Sequence, residues 1–114
     1  MSEYTHEYKT EWAVTDWAEA RNLIQGSTPA AQVLKLAEEM GELAGAIAKG
    51  KDRDYVVDAI GDMMVVLTII AAQHRTTLSI CFENAYQEIK DRKGKMVDGV
   101  FIKESDLEKL KYEL

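Results

Sequence analysis

The spacing of apolar residues changes several times along the chain, and each change marks an expected element. Trp12, Val14, Trp17, Ala18, Leu23 and Ile24 recur unevenly, which reads as a first helix from about Glu11 to Gln25, with Gly26 as its C′ residue. The polar stretch from Met1 to about Thr10 is expected to be loose. Ser27-Thr28-Pro29 opens a second helix, with Thr28 as N-cap and Pro29 in the first turn. That helix runs to about Lys49. Leu36, Ala37, Met40, Leu43, Ala44 and Ile47 form its apolar stripe, and Glu38, Glu39 and Glu42 lie on the other side. Gly50-Lys51-Asp52-Arg53 is a short polar turn, so the third helix should pack antiparallel on the second.

The third helix is expected from about Asp54 to Gln73. Its run Met63 to Ala72 holds one polar residue, Thr68. The run falls short of the roughly 20 apolar residues a bilayer span needs. It is longer than most strands, so it reads as a core helix. His74-Arg75-Thr76 breaks it, and Thr76 or Thr77 caps a fourth helix with Leu78, Cys81, Phe82, Ala85 and Ile89 on one face. After Arg92, Lys93-Gly94-Lys95 is a basic turn. Asp98-Gly99 within Met96 to Phe101 then signals a small hairpin, and Ser105-x-x-Glu108 is a capping-box pattern for a short last helix. These elements predict an all-α, four-helix-bundle-type subunit with a short C-terminal hairpin and helix tail. It reads as one domain over residues 1–114. A helix apolar on nearly every side must bury more than one face, so a homo-oligomer is expected.

Composition narrows the function classes. The chain has 114 residues and a formal net charge of −6, which argues against broad binding to nucleic acid or to an anionic membrane. A single cysteine, Cys81, excludes an intrachain disulfide framework and fits a reducing cytoplasm, with the thiol expected in a helix core. No apolar segment follows the start, so no signal peptide is visible.

The candidate chemistry lies in two acidic groups. Glu39 and Glu42 are three apart and share a helix face, with Glu38 on the same broad side. Asp58 and Asp62 are four apart at the mouth of the apolar helix, about 40° from each other around the axis. An antiparallel pair of helices would bring Glu39 and Glu42 opposite Asp58 and Asp62. Carboxylates set among apolar residues shift their pKa, find a partner or bind a metal. All-oxygen ligation suits magnesium, or manganese, over zinc.

The sequence Glu38-Glu39-Met-Gly-Glu42-Leu-Ala, followed by Ile-Gly-Asp62 and an apolar helix, resembles the MazG-like all-alpha nucleoside triphosphate pyrophosphohydrolases. The resemblance covers roughly Trp12 to Phe101. It implies a helical dimer or tetramer that cleaves nucleoside triphosphates between the α and β phosphates with magnesium. It makes Glu39, Glu42 and Asp62 metal ligands and Glu38 the group that orients or deprotonates the attacking water. It draws the basic side of the site from Asn84, Lys90, Arg92, Lys93 and Lys95, and offers Trp12 and Trp17 for stacking on a base. The family's second motif carries Glu three residues before its Asp, where this chain has Ala59. Asp58, one place earlier, is expected to replace that ligand and join Glu39, Glu42 and Asp62 on the metal; the alternative is a site of three carboxylates.

A second class of function stays open beside the enzyme. It is a non-catalytic helical dimer whose acids hold a structural cation or face water, and it draws its support from Ala59. A di-iron carboxylate site would need Glu-x-x-His pairs on the bundle helices, and His6 and His74 are not so placed.

Overall fold

The computed structural model describes residues 6–113. Five helices and one hairpin follow in order: α1 (His6–Ala20), α2 (Pro29–Ala48), α3 (Arg53–Gln73), α4 (Leu78–Ile89), β1 (Gly94–Val97), β2 (Val100–Lys103) and α5 (Glu104–Glu113). The chain divides into two compact units, Met1–Cys81 and Phe82–Leu114.

The first unit is built on α2 and α3, which make the most extensive packing, with α1 also against α3. Thr28 caps α2 as expected: its side chain accepts from the Ala31 N–H, and Pro29 sits where no N–H is needed. Asp52 caps α3 through the Tyr55 N–H, one residue before the start the sequence suggested. The four-residue connection from Lys49 to Asp52 turns on Gly50, whose φ of 65° is left-handed. On α3, Ala59, Val66, Thr68, Ile69 and Ala71 are buried, and the Thr68 hydroxyl satisfies itself on the Met64 carbonyl at 2.7 Å. At 21 residues, α3 is long and apolar enough to cross a membrane by length and composition. Its burial against α2 and its three acidic side chains, Asp54, Asp58 and Asp62, fit a core helix.

The first helix departs from expectation. It begins at His6, inside the stretch expected to be loose, whose first five residues lie outside the described ones. It ends at Ala20, and the left-handed residue that stops it is Asn22 (φ 57°), not Gly26. Asn tolerates that region through its short polar side chain, so a glycine was not required. The Glu11 carboxylate accepts the Ser79 N–H at 3.0 Å and also takes the Ser79 hydroxyl. It thereby satisfies a free donor at the start of α4 and ties that helix to α1. Thr77 adds a second cap there, accepting from the Ile80 N–H at 3.1 Å. Leu78 is half-buried, whereas Cys81, Phe82, Ala85 and Ile89 are exposed, so the expected core stripe of α4, its thiol included, is uncovered.

In the second unit β1 and β2 pair antiparallel, Gly94 opposite Lys103 and Val97 opposite Val100. Asp98 and Gly99 both have positive φ, as the two-residue turn demands. The last helix starts at Glu104, directly after β2, so Ser105 lies inside it rather than capping it. The Glu104 N–H is bonded to the Lys93 carbonyl at 2.8 Å, and the helix starts two residues earlier than a Ser105 cap would place it.

Candidate metal centre

The buried positions of α2 are Gln32, Glu39 and Ala46, with Leu36 and Leu43 half-buried between them. Their spacing of four, three, four and three residues defines one face of a helix. Glu39 therefore lies on the packed face of α2. Leu36 and Leu43 of the stripe expected from the sequence lie on this face, whereas its other members, Ala37, Met40, Ala44 and Ile47, turn away from it and are exposed. A carboxylate in the contact stripe must be answered from the facing helix or by a ligand.

Glu42 from the same helix and Asp62 from the facing one converge on Glu39. Each offers a carboxylate oxygen, and these oxygens all lie within 4.8 Å of one another. Glu39 is 7% exposed, and its Oε2 has no hydrogen-bond partner among the described residues. Its Oε1 lies 3.4 Å from the Lys35 ammonium, which is also 3.4 Å from Glu38 Oε2. The negative charge of Glu39, then hydrogen bonding to Glu39 and desolvation, raise the Glu42 pKa from its ordinary value; Lys35 opposes the effect and Asp62 adds slightly to it. Hydrogen bonding to Glu39, and then to Glu38, raises the Lys35 pKa.

The donor set fits a hard divalent cation. Magnesium–oxygen bonds of about 2.1 Å place two ligand oxygens at most about 4.2 Å apart, so the three acids need only a small closure. The buried Glu39 Oε2, without a hydrogen-bond partner among the described residues, is a donor such an ion could take. There is no nitrogen or sulfur ligand in the group.

The other expected residues fall in different places. Asp58 is exposed and does not join the cluster. It sits about 40° farther around α3 than Asp62 and on the side away from Ala59, which is buried at 6%. Glu38 is exposed at the rim, held by Lys35. Trp12 and Trp17 are roughly half exposed, and the Arg21 guanidinium covers the Trp17 ring at 4.5 Å. Asn84, Lys90, Arg92, Lys93 and Lys95 are exposed residues of the second unit. There Arg92 and Lys93 line a cavity of about 420 Å³ with Glu88, Asp91 and Lys103.

Two features were missed in the sequence. Lys35 was signalled only by its four-residue spacing from Glu39. A groove of about 610 Å³ shares Glu42 with the cluster and is lined also by Glu38, Gly41, Gly45, Lys51 and Tyr55. Lys51 lies 5.2 Å above the Tyr55 ring.

Comparison with known proteins decides the family. The profile of the MazG nucleotide pyrophosphohydrolase domain matches residues 27–101, which hold α2, α3, α4 and most of the hairpin. The chain belongs to the MazG family. It is also 49% identical over 61 residues to an uncharacterized 18.2 kDa protein from the rep-hol intergenic region of Haemophilus phage HP1. That match spans 54% of this chain and 37% of the phage protein. No solved structure matches the chain. The MazG domain is all-alpha, in agreement with the helical architecture observed here.

Proposed function

We propose that the protein is a metal-dependent nucleoside triphosphate pyrophosphohydrolase that converts a nucleoside triphosphate to its monophosphate and pyrophosphate. The observation that carries this reading is Glu39. A member of the MazG family has placed a carboxylate in its helix contact stripe, left one oxygen without a partner, and set two further carboxylates beside it. Three carboxylates this close repel, and a bound divalent cation is the partner that would relieve them and also serve the family's chemistry.

In this reading Glu39, Glu42 and Asp62 hold magnesium, or manganese, and the exposed Asp58 stays outside the ligand set. The ion, when bound, neutralises phosphate charge and favours ionisation of a nearby water. Glu38, exposed beside the cluster, accepts the proton of the water that attacks the α–β anhydride. The water oxygen bonds to the α phosphorus and stays on the monophosphate, the bond from that phosphorus to the bridging oxygen breaks, and pyrophosphate leaves with the bridging oxygen. The groove beside Glu42 has the size of a small-molecule site and is the seat for the nucleoside, with Tyr55 at its end. Asn84, Lys90, Arg92, Lys93 and Lys95 are the reserve of donors for the phosphate chain, and Trp12 and Trp17 remain stacking candidates. The protein acts as a homodimer or homotetramer in the cytoplasm, with uncovered apolar positions on α2 and α3 as the subunit contact.

Pyrophosphate release from a panel of nucleoside triphosphates, with magnesium, with manganese and with chelator, tests the reading. Chelator-sensitive release of pyrophosphate is expected. Absence of release across the panel, together with retained cation binding, would favour the structural-cation alternative that Ala59 supports.

A further inference from the structure

We propose that Lys35 is a substrate-binding residue of this site. Its ammonium, held by Glu38 and Glu39 in the metal-free protein, is released when a divalent cation takes Glu39, and it then binds a non-bridging oxygen of the phosphate chain. The inference rests on the metal-dependent reading above and adds to it a residue that the reading does not require.

The geometry sets the two partners apart. The Glu39 side chain is 9% exposed and fixed in the α2–α3 contact, while the Lys35 side chain is 55% exposed and reaches it from the solvent side. Lys35 lies about 40° around α2 from Glu39, on the same flank as Glu42 at about 60°. The ammonium therefore stands on the Glu42 flank of α2, on the solvent side of Glu39 and about one turn before the acids. Helix stability does not account for the pair. Lys placed four residues before Glu is the weaker of the two orders on a helix, and the exposed partner Glu38 adds little in water.

Charge then requires a handover. Three carboxylates and one dication leave the cluster net negative, and Glu38 adds another negative charge at the rim. A polyanionic phosphate chain approaching that rim needs a cation within reach. Among the described residues, Lys35 is the cation ion-paired with these acids. A dication bound to Glu39 repels an ammonium a few ångströms away, whereas a phosphate oxygen attracts it. The lysine stem is flexible and its head acts as a compact point charge for phosphate, so the move needs no backbone change.

Calorimetric binding of magnesium without nucleotide tests the first half. Binding of a non-hydrolysable nucleoside triphosphate at saturating magnesium, with KM and kcat, tests the second. In Lys35→Met, magnesium should bind about two- to fivefold more tightly, the range an exposed ion pair is worth. The analogue Kd and the KM should rise at least about tenfold, the scale of a charge-assisted hydrogen bond, with a smaller change in kcat. Lys35→Arg should recover most of the nucleotide affinity. Unchanged analogue Kd and KM in Lys35→Met would reduce Lys35 to a surface ion pair and overturn the proposal. So would weaker magnesium binding, which would make Lys35 a residue that orients Glu39. If the wild-type protein binds no divalent cation in the same calorimeter, the metal-dependent reading itself fails and this inference falls with it.

Discussion

Glu39 on α2 and Asp62 on α3 belong to different helices, yet their carboxylate oxygens lie within 4.8 Å of each other and of Glu42. Like charges so close repel, and only a cation or a proton relieves them. Glu39→Gln and Asp62→Asn should therefore each lower magnesium-dependent hydrolysis by more than about a hundredfold, since loss of a mere supporting partner of a metal ligand costs 10- to 100-fold. Both variants should fold, with metal-free melting temperatures equal to or above that of wild type. Wild-type turnover in both would place the cation elsewhere.

The raised Glu42 pKa gives the repulsion a pH signature. A carboxyl group whose pKa is raised on folding favours the folded state fully at pH below its unfolded pKa. That contribution is lost as pH rises through the folded value. The metal-free protein should then lose stability as pH climbs from about 4 toward neutrality through this group. In Glu42→Gln that loss should shrink, so the variant melts higher than wild type at pH 7 and level with it near pH 4. Magnesium should offset the loss in wild type. Parallel melting curves for the two proteins across this range would show that Glu42 is unstrained.

Much of the fold was legible in the sequence because its signals were local. Thr28-Pro29, the apolar run after Asp62 and Asp98-Gly99 each prescribe backbone geometry within a few residues, and α2, α3 and the hairpin follow them. The site was legible as a set of residue types. What the pattern hid was which face of α2 is packed. Counting Glu39 as a surface residue moves the apparent stripe to Met40 and Ile47, while the packed stripe passes through Glu39 itself. Hydrophobicity cannot distinguish a buried metal ligand from a solvated acid. The end of α1 was misplaced because a glycine was expected where Asn22 adopts the left-handed turn.

The stripe the sequence favoured still has a use. Its uncovered members, Ala37, Met40, Ala44 and Ile47, are joined in the structure by Val33, and Val33, Met40 and Ile47 follow one another at seven-residue intervals along α2, all at least half exposed. A straight apolar seam of this kind packs against another helix, and on α3 Val57, Ile60 and Met64 are similarly uncovered. Light scattering should find the wild-type protein larger than a monomer at micromolar concentration. Met40→Glu with Ile47→Glu should shift it toward monomer, because each charge would otherwise be desolvated in the contact. A monodisperse wild-type monomer would sink this assignment.

The last test concerns Asp58 and Ala59, adjacent on α3 and opposite in exposure. Ala59 is buried at 6%, and Asp58 is exposed. Positions 59 and 62 are three apart and can share a face, with position 59 the nearer to the packed side of the helix. A carboxylate at 59 would thus enter the cluster from within, whereas Asp58 must reach it from beyond Asp62 with a shorter side chain. Asp58→Asn should accordingly change magnesium affinity less than about threefold, within the range of a surface charge. Ala59→Glu should have two opposed effects. It should lower metal-free stability by about 2 kcal/mol or more, because it buries a fourth carboxylate among three. It should also strengthen magnesium binding, because the new ligand replaces a water. A loss of magnesium affinity in Asp58→Asn as large as that in Glu42→Gln would instead make Asp58 the fourth ligand, brought in by closure of α3 on the ion. Ala59→Glu in the Asp58→Asn background should then recover part of that affinity.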